Sequence, residues 1–159
     1  MMKRLALLVS LSAVAIPALA HGAERGAAKA TVAGKTVTID YGRPSLKGRD
    51  MLGQAEVGKA WRMGADDATT LKTDADLSFG GTAVPKGEYV LTATKVADGK
   101  WQLNVTTKER SKVADVPLET GKLPASVETL TIELTGEKDK GTFTMSWGEV
   151  ALKAGFTGK

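Results

Sequence analysis

The 159-residue sequence contains no cysteine and a single histidine, His21. Without cysteine the chain forms no disulfide bond, so a folded state depends on a packed core. These two scarcities also exclude Ser-His-Asp and Cys-His catalytic sites within the chain's folded domain, and zinc sites built from several histidines. Aromatic residues make up only 5% of the chain, with three tryptophans. Each tryptophan is therefore a candidate either for the core or for a ligand-binding surface.

Long hydrophobic runs are also scarce, and the longest lies at the amino terminus. A basic start at residues 1–4 precedes an apolar run over 5–16, and Ala18-Leu19-Ala20 has the small-x-small pattern of a cleavage site. This arrangement is typical of a secretory signal peptide, and the run is shorter than the ~20 residues of a membrane span. We predict a signal peptide over residues 1–20, cleaved after Ala20, and a mature protein in the periplasm or the medium without a membrane span.

A surplus of charge of one sign is missing as well. The chain has 22 basic and 18 acidic side chains, and removal of Lys3 and Arg4 with the signal peptide leaves 20 basic against 18 acidic. So small an excess does not favour nucleic acid or an anionic membrane as a partner, and export also argues against nucleic acid. The 139 residues that remain after cleavage are enough for one domain with a core of its own.

What the sequence does contain is hydrophobic alternation with a period of two. Val37, Ile39 and Tyr41 alternate with polar residues, which predicts a half-buried strand. The same alternation recurs in four later segments: 88–94, 100–105, 127–135 and 143–147. We predict one all-β domain over residues 31–159, a β-sandwich of jelly-roll-like or Greek-key type with eight or nine strands. Residues 21–30 are predicted to be a flexible leader, and residues 109–125 mainly a connection.

The tryptophans differ in their surroundings. Trp101 and Trp147 are in phase with apolar neighbours on predicted strands, so we predict that both belong to the core. Trp61 lies in a segment without strand periodicity and is the one tryptophan expected to contribute to an accessible surface.

The segment from Tyr41 to Thr70 interrupts the alternating pattern for more than twenty residues. Loops of this length in compact domains are functional or are packed by their own side chains. Arginine suits carboxylate, phosphate or sulfate groups, and glycine lets the backbone approach a ligand closely. One hypothesis is a pocket for a small anionic or polyhydroxylated ligand, formed by Tyr41, Arg43, Lys47, Arg49, Trp61, Arg62, Asp66 and Asp67. The alternative is that the basic and acidic side chains pair with each other and hold an Ω-loop across one end of the sandwich.

Three motifs in this segment carry a resemblance to a known family: Tyr41-Gly42-Arg43-Pro44, Lys47-Gly48-Arg49, and Trp61-Arg62 followed by Gly64-Ala65 and Ala68-Thr69. They resemble the bacterial exported family called domain of unknown function 2911. Later segments, including Pro85-Lys86-Gly87-Glu88-Tyr89 and Ser146-Trp147, fall in the matching order. The sequence departs from the family pattern at Met63 and Asp66, where threonine and an amide are expected. The resemblance implies export and a β fold, and it names no activity.

Three functions follow as hypotheses. The first is a non-catalytic extracytoplasmic binding or structural module with a ligand-binding loop at 41–70 and no cofactor. The second is a carboxylate-dependent hydrolase that acts on envelope or extracellular polymers through acids of the same loop. The third is copper handling by His21, because cleavage after Ala20 would place an amine and an imidazole together at the amino terminus. The sequence favours no particular oligomeric state.

Overall fold

The computed structural model describes residues 22–159, which form ten β-strands and no helix. Consequently no helix in this range has the length and apolar character needed to cross a membrane. The predicted all-β class is confirmed, with ten strands instead of eight or nine. The predicted signal peptide and His21 lie outside the described residues. The strands are β1 (Glu24–Val32), β2 (Lys35–Arg43), β3 (Ala60–Trp61), β4 (Thr69–Thr73), β5 (Leu77–Phe79), β6 (Thr82–Val84), β7 (Gly87–Ala97), β8 (Lys100–Thr106), β9 (Lys112–Glu137) and β10 (Lys140–Gly158).

All ten strands belong to one antiparallel sheet in the order β1-β2-β4-β7-β8-β9-β10-β5-β6, with β3 attached to β7. The long strand β9 joins two parts of this sheet, because residues 112–118 pair with β8 and residues 119–137 pair with β10. We call the part from β1 to the start of β9, including β3, the first half. The second half consists of the rest of β9 with β10, β5 and β6.

The two halves face each other across one hydrophobic core and thus supply the two layers of the predicted sandwich. Several strands direct alternate side chains toward this core, as the alternating burial along β4 shows. Burial of such side chains stabilises the fold by roughly 1.5–3 kcal/mol each. Side chains of both halves meet at the centre of the core: Val37, Ile39, Leu71, Leu91 and Leu103 from the first half, and Leu77, Phe79, Leu134, Phe143 and Phe156 from the second.

Strand β1 overturns the prediction of a flexible leader, because residues 24–30 belong to it. Its pairing with β2 is continuous, from Glu24 opposite Arg43 to Val32 opposite Lys35. The side chains of Ala28, Ala30 and Val32 are buried. Alanine and glycine have low strand propensity, but backbone hydrogen bonds to a neighbouring strand do not depend on side chains. The domain therefore begins near residue 24.

The connection predicted over residues 109–125 is also wrong, since β9 begins at Lys112 and continues through this range. Pro117 fits within the strand because residues 112–118 pair only with β8, which leaves the other backbone edge free of ladder hydrogen bonds. Pro124 lies where the β9–β10 register shifts, between the pairs Val127–Gly148 and Lys122–Val150. Proline is therefore confined to the places where this strand needs no N–H donor.

Candidate functional site

Tyr41 and Arg43, at the start of the irregular segment, bind the backbone of β9. The buried Tyr41 hydroxyl accepts a hydrogen bond from the Ile132 N–H at 2.9 Å and donates to the Ile132 carbonyl at 3.3 Å. Arg43 Nε donates to the Leu130 carbonyl at 3.2 Å, and its Nη2 donates to Thr131 Oγ1 at 3.2 Å. Both side chains were predicted to contact a ligand. The structure places them between the two halves of the sheet, where each binds β9.

The chain that leaves β2 continues this attachment through its backbone. The Leu130 N–H donates to the Pro44 carbonyl at 3.0 Å, and the Leu46 N–H donates to the Glu128 carbonyl at 3.0 Å. Residues 44–46 therefore run along the edge of β9 and close one end of the gap between the halves. This end of the segment behaves as an extension of the sheet.

Two glycines of the motifs allow the two ends of the segment to touch. A Cβ atom at Gly42 would lie 2.1 Å from the Ala65 carbonyl oxygen, and one at Gly64 would lie 3.0 Å from the Gly42 oxygen. Thr69 Oγ1 reinforces this contact by donating to the Met63 carbonyl at 3.0 Å. The glycines are thus required by close backbone packing within the protein.

Arg62, Asp66 and Asp67 form a turn that holds the beginning of β1. Arg62 Nη1 donates to the Asp66 carbonyl at 2.9 Å, and Asp66 Oδ2 accepts from the Ala23 N–H at 2.8 Å. Arg25 Nη1 donates to the Asp67 carbonyl at 3.4 Å. These three predicted site residues therefore lie together at the junction with β1.

Lys47 and Arg49 project from a tight turn. Lys47 and Gly48 both have positive φ angles, of 50° and 77°, and the Arg49 N–H donates to the Leu46 carbonyl at 3.1 Å. Consecutive positive φ angles at the two central positions are typical of a type I′ turn. The turn exposes Lys47 and Arg49, while the Lys47 N–H donates to Glu128 Oε1 at 2.9 Å.

The three tryptophans form one cluster. The Trp61 ring stacks on Trp147 with a centroid separation of 5.7 Å and an interplanar angle of 10°. Its contact with Trp101 is edge-on, at 6.3 Å and 70°. Trp101 and Trp147 are buried, which confirms their predicted place in the core. Such pairs stabilise an arrangement by roughly 0.5–1.5 kcal/mol beyond area burial, so the partly buried Trp61 ring is held in one orientation.

The accessible part of Trp61 borders a surface groove of about 310 Å³, which we call the Trp61 groove. Its charges offset each other, because Lys59 Nζ lies 3.6 Å from Glu56 Oε2 and both side chains are exposed. Of the eight predicted site residues, only Trp61 lines this groove. The other lining residues are Met51, Gln54, Ala55, Glu56, Lys59 and Ala60. A mixture of apolar and polar residues directly before Trp61 is the signal in the sequence that could have indicated them.

Lys95 on β7 supports one wall of the groove, and it is the only charged side chain that is buried within residues 22–159. Its Nζ donates to the Gly53 carbonyl at 3.3 Å and lies 3.6 Å from Asp98 Oδ1. Its own carbonyl accepts from the Gly58 N–H at 2.8 Å. A lysine on a strand does not reveal this role in the sequence, because the wall comes from a distant part of the chain.

Three acids of the segment bind three different partners. Asp50 Oδ1 accepts from the Gly53 N–H at 3.0 Å, Glu56 pairs with Lys59, and Asp66 binds the Ala23 N–H. In the part of the chain that the structure describes, no cluster of three or more His, Cys, Asp or Glu side chains is placed to hold a metal ion. Each of these three acids therefore has a hydrogen-bond or ion-pair partner of its own.

A second exposed ion pair lies away from the groove on the first half. Lys108 Nζ is 2.6 Å from Glu88 Oε2, beside a depression that also includes Asp40 and Lys72. The hydrogen bond from Lys108, and next its charge, lower the pKa of Glu88, and the same two effects of Glu88 raise the pKa of Lys108. This pair is chemically similar to Glu56–Lys59 but does not border Trp61, which makes it a matched reference.

Comparison with known proteins places the chain in a family. Searches of curated proteins and of solved structures found no match. The family model described as "Protein of unknown function (DUF2911)" matches residues 24–156, from the first residue of β1 to near the end of β10. The motifs at Tyr41, Lys47 and Trp61 fall within this match. The chain therefore belongs to the family of proteins of unknown function DUF2911.

Proposed function

We propose that this protein is a non-catalytic extracytoplasmic binding module, and that the Trp61 groove holds a neutral polyhydroxylated ligand, namely a saccharide. The observation that carries the proposal is the fixed, partly accessible Trp61 ring, which stacks on Trp147 and borders a groove with polar walls. Ligand sites combine an apolar or aromatic surface with a few well-placed polar groups. The extracytoplasmic location rests on the signal peptide predicted over residues 1–20.

The choice of a neutral ligand follows from the charges of the groove. Glu56 and Lys59 pair with each other, so the groove offers no uncompensated cation to an anionic ligand. Lys47 and Arg49, which would suit an anion, project from a separate turn and do not line the groove. Carboxylate, ammonium and amide groups together supply donors and acceptors for hydroxyl groups.

The choice of binding over hydrolysis rests on the same side chains. A carboxylate-dependent hydrolase requires two acids that face each other across a cleft, about 5–9.5 Å apart. Among the acids of the segment only Glu56 lines the Trp61 groove, and it pairs with a lysine. The geometry thus supports recognition of a saccharide more than cleavage of one.

The test is a screen of the signal-peptide-processed protein against neutral oligosaccharides and sugar acids by thermal shift, followed by calorimetry. We expect neutral saccharides to bind and to change the tryptophan fluorescence. Trp61→Ala should weaken binding by about tenfold, since loss of a central aromatic contact costs more than about 1 kcal/mol. Trp61→Phe should retain most of the affinity, because a smaller aromatic ring still offers a face.

Glu56→Ala and Glu88→Ala form a matched pair of controls. Each removes an exposed acid from an ion pair with lysine, but only Glu56 lines the groove. We expect weaker binding for Glu56→Ala and unchanged binding for Glu88→Ala. Binding of sugar acids alone, or equal affinity of Trp61→Ala and the unmodified protein for every saccharide, would contradict the proposal.

A further inference from the structure

Met51 is the one methionine with an accessible side chain among residues 22–159. Its side chain is partly buried, whereas Met63 and Met145 have 0% of their surface exposed. The chain has no cysteine, so no thiol competes for an oxidant. Thiol and thioether sulfur atoms are the side-chain groups that mild oxidants attack. A mild oxidant in the solvent therefore reaches a single sulfur atom of the folded domain.

This methionine lies in the wall of the Trp61 groove. Met51 lines the groove together with Ala55 and Trp61, and all three side chains also pack against the hydrophobic core. The next residue, Leu52, is buried, with 5% of its surface exposed. The Met51 thioether thus joins the surface of the groove to the core, and it keeps this place because it is apolar.

The backbone that carries Met51 is held by hydrogen bonds on both sides of the turn. The Gln54 N–H donates to the Asp50 carbonyl at 3.1 Å. From the neighbouring strand, Lys95 Nζ donates to the Gly53 carbonyl at 3.3 Å. A turn held in this way keeps the methionine side chain at the groove, so a chemical change at its sulfur alters the groove itself.

We propose that Met51 is an oxidation site that regulates the Trp61 groove, with a hydroperoxide as the oxidant. A lone pair of the thioether sulfur attacks the terminal oxygen of the peroxide, the O–O bond breaks, and a sulfur–oxygen bond forms. The sulfur gives up two electrons, and the proton on the transferred oxygen passes to the released hydroxide or alkoxide. The products are methionine sulfoxide and one molecule of water or alcohol. This inference rests on the proposed function, because it adds regulation to that binding site.

Oxidation removes the property that holds Met51 against the core. The sulfoxide is polar, and its burial without a hydrogen-bond donor is unfavourable. The oxidised side chain therefore turns toward water and leaves the apolar surface beside Trp61. Loss of this surface weakens the contact with the carbon–hydrogen face of a sugar ring. Because Trp61 stays stacked on Trp147, the groove loses affinity and keeps its aromatic wall.

Peptide mass spectrometry of the signal-peptide-processed protein, after timed exposure to hydrogen peroxide, tests the site. We expect Met51 to gain one oxygen about tenfold faster than Met63 and Met145, because only Met51 is accessible. Unfolding in urea should remove this difference. Equal rates for the three methionines in the folded protein would overturn the proposal.

Amide chemical-shift mapping tests the effect on the groove without any ligand. Oxidation should shift the signals of Ala55, Ala60 and Trp61, and methionine sulfoxide reductases should restore them. Met51→Leu conserves volume and apolar character, so peroxide should leave these signals unshifted in that variant. Met145→Leu, which keeps Met51, should respond as the unmodified protein does. The same shifts in peroxide-treated Met51→Leu would contradict the proposal.

Calorimetry with the hexamers of β-1,4-linked glucose and of β-1,4-linked N-acetylglucosamine separates this inference from the proposed function. Peroxide-treated protein should bind about fivefold more weakly than untreated protein, and treated Met51→Leu should bind as untreated Met51→Leu does. Equal affinities of treated and untreated unmodified protein would make the oxidation an incidental lesion and overturn the regulation, while the saccharide site would stand. Failure of both hexamers to bind untreated protein would count against the proposed function, and the mass and chemical-shift results would still decide whether oxidation alters the groove.

Discussion

The ends of the segment between Tyr41 and Thr70 differ from its middle in how they meet the sheet. At the ends, Tyr41 and Arg43 hydrogen-bond to the β9 strand, and Gly42 lies against the Ala65 carbonyl. In the middle, residues 51–61 are joined to β7 through the two-residue strand β3 and through Lys95. The ends are therefore integrated into the fold, whereas the middle has an accessible surface.

This comparison shows that a side chain with suitable chemistry for ligand binding is not necessarily accessible to a ligand. A buried hydroxyl or guanidinium must find hydrogen-bond partners, because an unsatisfied buried polar group costs about 1–3 kcal/mol. Tyr41 and Arg43 meet this requirement with backbone and hydroxyl groups of β9. The π face of the Trp61 ring needs no hydrogen-bond partner, and part of the ring borders the groove.

Gly42→Ala tests the anchored ends and should have the largest effect. The added methyl would overlap the Ala65 carbonyl oxygen, which lies 2.1 Å from its ideal position and belongs to backbone that cannot rotate away. We expect a loss of about 3 kcal/mol or more in the free energy of unfolding, or failure to fold. Chemical denaturation measures this loss in the free energy of unfolding.

Gly121→Ala is the matched control for that variant. Gly121 is also a strand glycine without a positive φ, and a Cβ there meets no atom within 4 Å. We expect unchanged or slightly increased stability, because alanine has less freedom than glycine in the unfolded chain. Equal losses for the two variants would show that the contact between Gly42 and Ala65 is unimportant.

Tyr41→Phe tests the same end with a smaller expected effect. The variant removes only the hydroxyl that bonds both the N–H and the carbonyl of Ile132, and it leaves those groups buried. We expect a loss of about 1–3 kcal/mol, measured by thermal or chemical unfolding. Tyr89→Phe, which removes one hydrogen bond to the Pro85 carbonyl, should lose less. The reverse order would contradict the view that Tyr41 anchors the segment.

Lys95→Met tests the middle and should have the smallest effect on global stability, within about 1 kcal/mol, because methionine preserves much of the buried alkyl chain. The groove wall, however, loses the hydrogen bond to the Gly53 carbonyl. We expect hydrogen exchange of the Gln54 and Ala55 amides to accelerate about three- to tenfold. The exposed Lys100→Met serves as control, and unchanged exchange in Lys95→Met would remove Lys95 from the support of the groove.

Much of the fold was predictable because burial of one face of a strand produces hydrophobic alternation with a period of two in the sequence. Val37, Ile39 and Tyr41 alternate and are all buried, and Trp101 and Trp147 are in the core as their phase predicts. Strand β1 shows no clear alternation of this kind, because its buried residues Ala28 and Ala30 are small and have low strand propensity. In β9, prolines suggested a connection, and only the arrangement of neighbouring strands shows why they are tolerated.

The candidate site was less predictable than the fold. Eight residues were predicted from their chemistry, and the structure divides them among the β9 contact, an exposed turn, the junction with β1 and the groove. Only Trp61 belongs to the groove, whose support includes Lys95 from another strand. Hydrogen bonds between strands are equally hidden in the sequence: Asn104 on β8 binds Thr92 and Thr94 on β7 across a pairing that no local pattern specifies.

The sequence by itself determined the all-β class, the inward faces of most strands and the core position of two tryptophans. These features depend on hydrophobicity and on the fixed alternation of side chains along a strand, both of which are local. Only the tertiary structure decided which polar side chains form hydrogen bonds with the backbone and which remain accessible to solvent. That outcome depends on which distant strands become neighbours. The same arginine or tyrosine can contact a ligand when it lies beside a groove, but it anchors the fold when it lies beside an unpaired backbone carbonyl.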